Sequence, residues 1–279
     1  MKKANVWFIT GASRGLGLSL ARRLLSKGYR VAATSRSAAE LSRELGPASS
    51  TFLPLEVDLL DEAAVAAAVR KTREHFDGLD VVVNNAGYGQ MGSVEEVSDA
   101  EARKNFDVNV FGLLNVTRAA LPALRARGNG HVFNIASIGG FVGGFTGFGV
   151  YCATKFAVAG VSEGLHADLA PLGIKVTLVY PGYFRTSFLA SGSIARPAHP
   201  IAAYAGARAS EAQHLEQINE NQPGDPDKAA DALIATYEMA APPLHLFLGS
   251  DAVGMAEAKV AELQRAIADH RALGVSTDF

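Results

Sequence analysis

The chain has 279 residues, of which 48% are hydrophobic, and its 26 Lys and Arg against 28 Asp and Glu leave a formal net charge of -2. That length can bury one large core, and the near-neutral charge gives no electrostatic reason to expect a nucleic-acid or membrane-surface partner. A single cysteine, Cys152, excludes an internal disulfide; with no leader-like start and no apolar run of membrane-spanning length, the chain reads as soluble and cytoplasmic.

Val6 to Ile9 is a short apolar run, followed by a glycine-rich turn from Thr10 to Gly17. Leu16, Leu20 and Leu24 then recur at helical spacing as far as Lys27, with Gly28 placed for a left-handed cap. A second strand, Tyr29 to Ser35, leads through the capping-box spacing Ser37 to Glu40 into a short helix. Phe52 to Val57 is the third strand and ends at Asp58; an alanine-rich helix runs from Asp61 to Phe76. Asp80 to Val83 is the fourth, ending in Asn84-Asn85-Ala86-Gly87. A second capping box, Ser98 to Glu101, opens a long helix expected to reach Leu124 with a kink near Pro122.

The fifth strand, His131 to Ala136, ends at Ser137. A Gly- and Phe-rich loop, 139–149, hands over to a helix from Val150 to Ala170, and Ile174 to Tyr180 is a sixth strand closed by Pro181-Gly182. Residues 184–222 carry no strand pattern and read either as a substrate-binding lid or as an ordinary helical insertion. Asp225-Pro226 caps a helix to Met239, a short strand follows at Leu244 to Leu248, and a last helix spans 252–273. Alternating strands and helices predict an α/β fold: a single doubly wound Rossmann-type domain over 1–279 with a largely parallel seven-stranded sheet.

The loop Gly11-Ala12-Ser13-Arg14-Gly15-Leu16-Gly17 leaves a strand and opens a helix, where bare backbone and free N–H groups can meet a pyrophosphate. The same residues satisfy G-x-S-x-G, a hydrolase nucleophile elbow centred on Ser13, but that reading leaves Gly17 without a purpose. If a dinucleotide binds, the second strand ends in Arg36 rather than a carboxylate, and Arg36 with Arg14 suits a 2′-phosphate; NADP is favoured over NAD unless both are plain surface arginines. Ser137 ends a strand at the edge where ligands bind in such sheets, and Asn109 is an unusual residue inside a helix. Tyr151 and Lys155 stand four residues apart, about 6 Å along a helix axis, so an ammonium is expected to lower the phenol's pKa.

Together these residues resemble the short-chain dehydrogenase/reductase family, whose marks stand as Thr10 to Gly17, Asn84 to Gly87, Asn109, Ser137, Tyr151 with Lys155, and Pro181-Gly182. The segment 226–230 and the closing stretch 243–279 further resemble the branch of 17β-hydroxysteroid dehydrogenases. The separation of Ser137 from Tyr151 is one residue longer than the short-chain dehydrogenase/reductase family more often shows. The resemblance implies a catalytic set of Asn109, Ser137, Tyr151 and Lys155, with Tyr151 as proton donor or acceptor at a carbonyl or alcohol. It implies cofactor contacts from Gly11, Ser13, Arg14, Gly15, Leu16, Gly17, Arg36, Asp58 (adenine), Asn85, Ala86, Gly87, Tyr151, Lys155, Pro181, Gly182 and Thr186. The function expected is NADP-dependent interconversion of a ketone or aldehyde with an alcohol, against a non-catalytic NADP-binding regulator or the Ser13 hydrolase.

Phe141, Val142, Phe145, Phe148, Tyr183 and Phe188 flank the proposed site and suggest a small apolar substrate, unless they are core. Ala153, Ala157, Gly160 and Gly164 make a small-residue stripe that packs either on the protein's own sheet or, as the resemblance suggests, in a homodimer or homotetramer. The seven histidines lack metal-ligand spacing, so no catalytic metal is expected.

Overall fold

A computed structural model describes residues 5–190 and 192–279; residues 1–4 and 191, inside the expected domain and the expected substrate segment, lie outside the described residues. In chain order the elements are β1 (Val6–Thr10), α1 (Gly15–Ser26), β2 (Arg30–Ser35), α2 (Ala38–Leu45), β3 (Phe52–Glu56), α3 (Glu62–Phe76), β4 (Val81–Asn84) and a two-residue β5 (Gly89–Gln90). There follow α4 (Asp99–Phe106), α5 (Gly112–Arg127), β6 (Gly130–Ile135), α6 (Gly149–Leu169), β7 (Ile174–Pro181) and β8 (Ile194–Ala195). The chain closes with α7 (Ala205–Ala212), α8 (Pro226–Glu238), β9 (His245–Leu248) and α9 (Ser250–Val275).

Seven strands form one parallel sheet in the order β3-β2-β1-β4-β6-β7-β9. Because side chains alternate across a strand, the unbroken apolar run of β1 feeds two cores. Trp7 and Ile9 join Leu20, Leu24 and Leu233 on the α1 and α8 face, and Val6 and Phe8 join Val65, Val69 and Val116 on the α3 and α5 face. The connections reverse direction between β1 and β4, which opens a crevice at their carboxyl ends. The helix starts read from sequence carry their caps: Ser98 and Glu101 bond reciprocally, and Asp225 accepts from the N–H groups of Asp227 and Lys228 behind Pro226.

Three local expectations change. The long helix after Ser98 is interrupted not at Pro122, which lies inside α5, but by a π-helical turn at Asp107–Phe111 that carries Asn109. Residues 184–222 do contain a strand: β8 pairs in parallel with β5, Gly89 with Ile194 and Gln90 with Ala195. The stripe on α6 faces outward, since Ala153, Gly160 and Gly164 are exposed and, among the described residues, nothing lies within 4 Å of a Cβ built at either glycine. Ala157 packs on the protein's own core, but such packing does not explain the other three.

Candidate active site

One cavity of about 820 Å³ runs across the carboxyl ends of the strands. At its nucleotide end Gly11 and Gly15 have φ of +64° and +57°, a conformation that glycine adopts without strain. A Cβ on Gly11 would lie 2.8 Å from the Ala86 backbone, and one on Gly17 would lie 2.5 Å from Asn85 Nδ2 and 2.7 Å from the Gly11 carbonyl oxygen. The Asn85 amide donates to the Thr10 and Gly11 carbonyls, both at 3.0 Å, so the turn after β4 clamps the glycine loop. Helix α1 starts from an extended Arg14 that provides no side-chain cap, which leaves its first N–H groups for an anion.

Arg14, Ser35, Arg36 and Asp58 also line this end. Both arginines are exposed at its rim, and the Asp58 carboxylate accepts from the Leu60 N–H at 3.0 Å. Thr186 lies across from Gly15, 3.7 Å from a Cβ built there. Gly182 is bare because the Asp251 carboxylate fills the space a Cβ would take. Bare backbone, uncapped helix and paired arginines fit a phosphorylated dinucleotide.

The middle of the cavity gathers the residues singled out for catalysis. Ser137 comes two residues after the end of β6, and a Cβ built on Gly139 would lie 3.5 Å from its hydroxyl oxygen and 3.8 Å from the Tyr151 ring, so the loop between them absorbs the extra residue of spacing. That loop turns through a 3-10 turn at Ile138–Gly140, where the Ser137 oxygen accepts from the Gly139 N–H at 3.1 Å, and through Gly147 at φ +74°. Tyr151 is 8% exposed and Lys155 5%. Lys155 Nζ lies 5.9 Å from the Tyr151 ring centroid and donates to the Ile135 carbonyl at 3.0 Å.

Here the electrostatics correct the sequence reading. Burial holds the Tyr151 phenol well above its ordinary range, with the Ser137 hydrogen bond pulling partly the other way. Burial also pushes the Lys155 ammonium down to about 8. Desolvation is the largest influence on both groups, and it holds the phenol in its protonated form.

Asn109 does not bond the ammonium either. Its amide donates to the Tyr88 carbonyl at 2.9 Å and to Thr154 Oγ1 at 3.0 Å, and its oxygen accepts from the Tyr88 N–H at 2.9 Å. It still faces the same spot as Lys155: a Cβ on Gly87 would lie 3.0 Å from Asn109 Oδ1 and 3.5 Å from Lys155 Nζ.

At the far end Phe145, Phe148, Tyr183 and Phe188 line the cavity as expected, while Phe141 and Val142 do not. Phe141 packs edge-on against Tyr180 and Phe247 at 5.7 and 5.1 Å, and Val142 joins the cluster of Ile138 and Ala252. Several contributors carried no readable pattern. His214 and Gln222 come from the segment without strand periodicity, and Tyr88 contributes mainly its backbone. Thr10 accepts from the N–H groups of Asn85 and Ala86 at 3.0 and 3.1 Å, and a hydroxyl ending an apolar strand is the signal for it. Behind the site Asn84 donates to Asn134 at 2.8 Å, and Asn134 to Ser162 at 2.8 Å, a buried ladder joining β4, β6 and α6.

A family model described as short chain dehydrogenase matches residues 5–195. Oxidoreductase BOA17 of Botryotinia fuckeliana is 35% identical over 260 residues, covering 92% of this chain and 93% of that protein. A short-chain dehydrogenase structure from Streptomyces avermitilis superposes with a TM-score of 0.91 at 35% identity over 100% of both chains. A short chain dehydrogenase from Burkholderia cenocepacia in complex with NADP gives 0.73 at 28% identity, over 96% of this chain and 97% of that one. The chain belongs to the short-chain dehydrogenase family, and with that it is an oxidoreductase acting on CH–OH groups. The nucleophile-elbow reading of Ser13 falls with this membership, and Gly17, unexplained by an elbow, is explained by its contact with Asn85 and Gly11.

Proposed function

We propose that the protein is an NADP(H)-dependent oxidoreductase that interconverts a ketone or aldehyde with an alcohol on a small molecule of mainly apolar body, with Tyr151 as the acid/base group. The observation that carries this reading is Ser137 beside Tyr151, both within 4 Å of a Cβ built on Gly139, with Tyr151 and Lys155 buried in the cavity whose other end is the glycine cradle. Gly11, Ser13, Arg14, Gly15, Leu16, Gly17, Arg36, Asp58, Asn85, Ala86, Gly87, Pro181, Gly182 and Thr186, together with Tyr151 and Lys155, would hold NADPH, which would supply the hydride when bound. The NADP complex of the Burkholderia cenocepacia relative and the two rim arginines support this choice of cofactor.

In this reading the Ser137 hydroxyl donates to the substrate oxygen and fixes it beside Tyr151. The Tyr151 phenol gives its proton to that oxygen as negative charge develops there, and Lys155 stabilises the phenolate left behind. A phenol kept protonated by burial is in the form that donates to a carbonyl oxygen. Asn109, turned inward by the π-helical turn, positions the path along which the Tyr151 and Lys155 pair recovers its proton.

The reading also takes the protein as cytoplasmic, as near the 17β-hydroxysteroid dehydrogenase branch, and as a homodimer or homotetramer through the outward stripe of α6. No helix among the described residues is long and apolar enough to cross a membrane.

The test is NADPH absorbance with a panel of ketones and aldehydes. Tyr151→Phe is expected to lower kcat by about 100- to 10,000-fold, the range of a general acid, with NADPH binding retained. Wild-type turnover surviving in the variant would remove Tyr151 from the chemistry. NADPH binding without turnover on any panel member would point instead to a regulator.

A further inference from the structure

The far end of the cavity holds a polar pair within its aromatic wall. His214, 7% exposed, lies in the π-helical turn Gln213–Ile218 that follows α7. Its Nδ1 lies 2.7 Å from the Ser210 carbonyl oxygen, and its Nε2 lies 2.9 Å from the Tyr183 hydroxyl. A carbonyl only accepts, so Nδ1 carries a proton, and in the tautomer with its one proton there Nε2 accepts from Tyr183. The proton of the Tyr183 hydroxyl is thereby committed to histidine. What the Tyr183 oxygen can still offer the cavity is its lone pairs.

Tyr183 is fixed in that role by its backbone. Its N–H donates to Asp251 Oδ2 at 2.6 Å, and its carbonyl accepts from the Gly224 N–H at 2.9 Å. The Gly224 turn brings Gln222 to the same wall, 2% exposed and, among the described residues, with no partner for either atom of its side-chain amide. A buried amide left unpaired is costly, so this wall suits a ligand that is polar at that point. The wall is also near the chemistry. His214 and Tyr151 both pack against Phe148, at ring separations of 4.7 and 6.3 Å, and Tyr183 is bonded to His214 on that side.

We infer that the substrate carries a hydrogen-bond donor close to its reacting carbonyl, a hydroxyl on an adjacent carbon, which the Tyr183 oxygen accepts while His214 holds the Tyr183 proton away. This deepens, and rests on, the reading of Tyr151 as the acid/base group. It changes the expected substrate from simply apolar to an apolar body with a polar head, a hydroxyketone. Tyr183 is the specificity-determining residue and His214 the positioning residue behind it.

Three aryl ketones test it with NADPH: acetophenone, 2-hydroxyacetophenone and 2-methoxyacetophenone. The last two activate the carbonyl similarly, but only the hydroxyl compound can donate. The wild type is expected to favour hydroxyl over methoxy by about tenfold or more in kcat/KM, because a site built around a substrate hydroxyl rejects the analogue lacking it. Tyr183→Phe should bring that ratio close to one. His214→Phe keeps a ring against Phe148 but frees the Tyr183 proton to donate, so the ratio should fall through a gain on the methoxy compound, which a merely structural histidine would not produce. Equal kcat/KM for the two ketones in the wild type, or a ratio unmoved in both variants, would overturn the inference. If no ketone turns over, calorimetric Kd values for the same pair in the presence of NADP⁺ decide separately. Tighter binding of the hydroxyl compound, lost in Tyr183→Phe, keeps the inference and counts against Tyr151 as the acid/base group for these ketones, whereas equal Kd values overturn the inference itself.

Discussion

The two ends of the cavity are built from different material. The nucleotide end is mostly backbone: Gly11, Gly15 and Gly17 stripped of side chains, α1 without a side-chain cap, and Asn85 tying two carbonyls of the loop together. The far end is side chains, contributed by Phe148 of the loop before α6, Tyr183 after β7, His214 after α7 and Gln222 before α8. A backbone cradle binds what every dinucleotide shares, its charged phosphates. Choice among substrates has to come from groups that differ in shape and hydrogen bonding, and only side chains supply those.

A single methyl group should break the nucleotide end. Gly17→Ala places a Cβ 2.5 Å from Asn85 Nδ2 and 2.7 Å from the Gly11 carbonyl, and the second of these is backbone that cannot swing aside. Forced overpacking of this kind costs about 1–3 kcal/mol, and because it spreads the loop and its clamp, the NADPH Kd should rise by about 100-fold. Thermal unfolding and a fluorescence titration with NADPH measure the two effects. An unchanged Kd would mean that the loop does not hold the phosphates.

The same contrast accounts for what could be read from the chain. The sheet was legible because both its faces are covered, so the strands are continuous apolar runs ending in glycine, asparagine or serine. The cradle was legible because glycine loops are local: the residues that touch are neighbours in sequence or end adjacent strands. The π-helical turn was not, since Asp107–Phe111 has the same composition as a helix, and the inward rotation of Asn109 depends on bonds to Tyr88, 21 residues earlier, and to Thr154, 45 residues later. The direction of the Tyr151 shift was not legible either. Spacing places the ammonium near the phenol, but whether attraction or desolvation wins depends on how deeply both are buried. Pairing of β5 with β8 involves two residues on each side, too few to leave an alternating pattern. Likewise Phe141 and Phe145 look alike in sequence and both pack on the Ile138 and Ala252 cluster, and only packing lets Phe145 also reach the cavity.

Between the two ends in size of effect lies the rim of the nucleotide end, where side chains rather than backbone do the selecting. Arg36 leaves β2 exposed beside the cavity with Arg14, in the place expected for a 2′-phosphate. Losing a hydrogen bond to a charged group costs about 1.5–3 kcal/mol, so Arg36→Ala should weaken NADPH by about 10- to 100-fold and NADH by much less. Paired Kd measurements with the two cofactors check this. Equal losses would make Arg36 a general contributor to the cradle and remove the structural reason for preferring NADP.

Lys155 sharpens the comparison by asking what function costs the fold. Its ammonium is buried with one carbonyl partner, and its pKa falls from the ordinary 10.5 to about 8. Below pH 8 folded and unfolded chains both carry the proton, and the folded state bears the whole cost of the buried charge. As pH rises from 8 towards 10.5 the folded state has released its proton while the unfolded state still binds one, so this group's contribution to stability improves with pH. The shift alone corresponds to about 3 kcal/mol, from which the lost hydrogen bond to Ile135 and imperfect packing subtract. Lys155→Met should therefore abolish turnover yet stabilise the ligand-free protein by about 1–2 kcal/mol at pH 7, with the gain shrinking by pH 10. Denaturant unfolding of both proteins at the two pH values measures it. A variant less stable than wild type at pH 7 would show that the ammonium is better solvated than its burial implies, and that the catalytic end, like the nucleotide end, is held together by its functional groups.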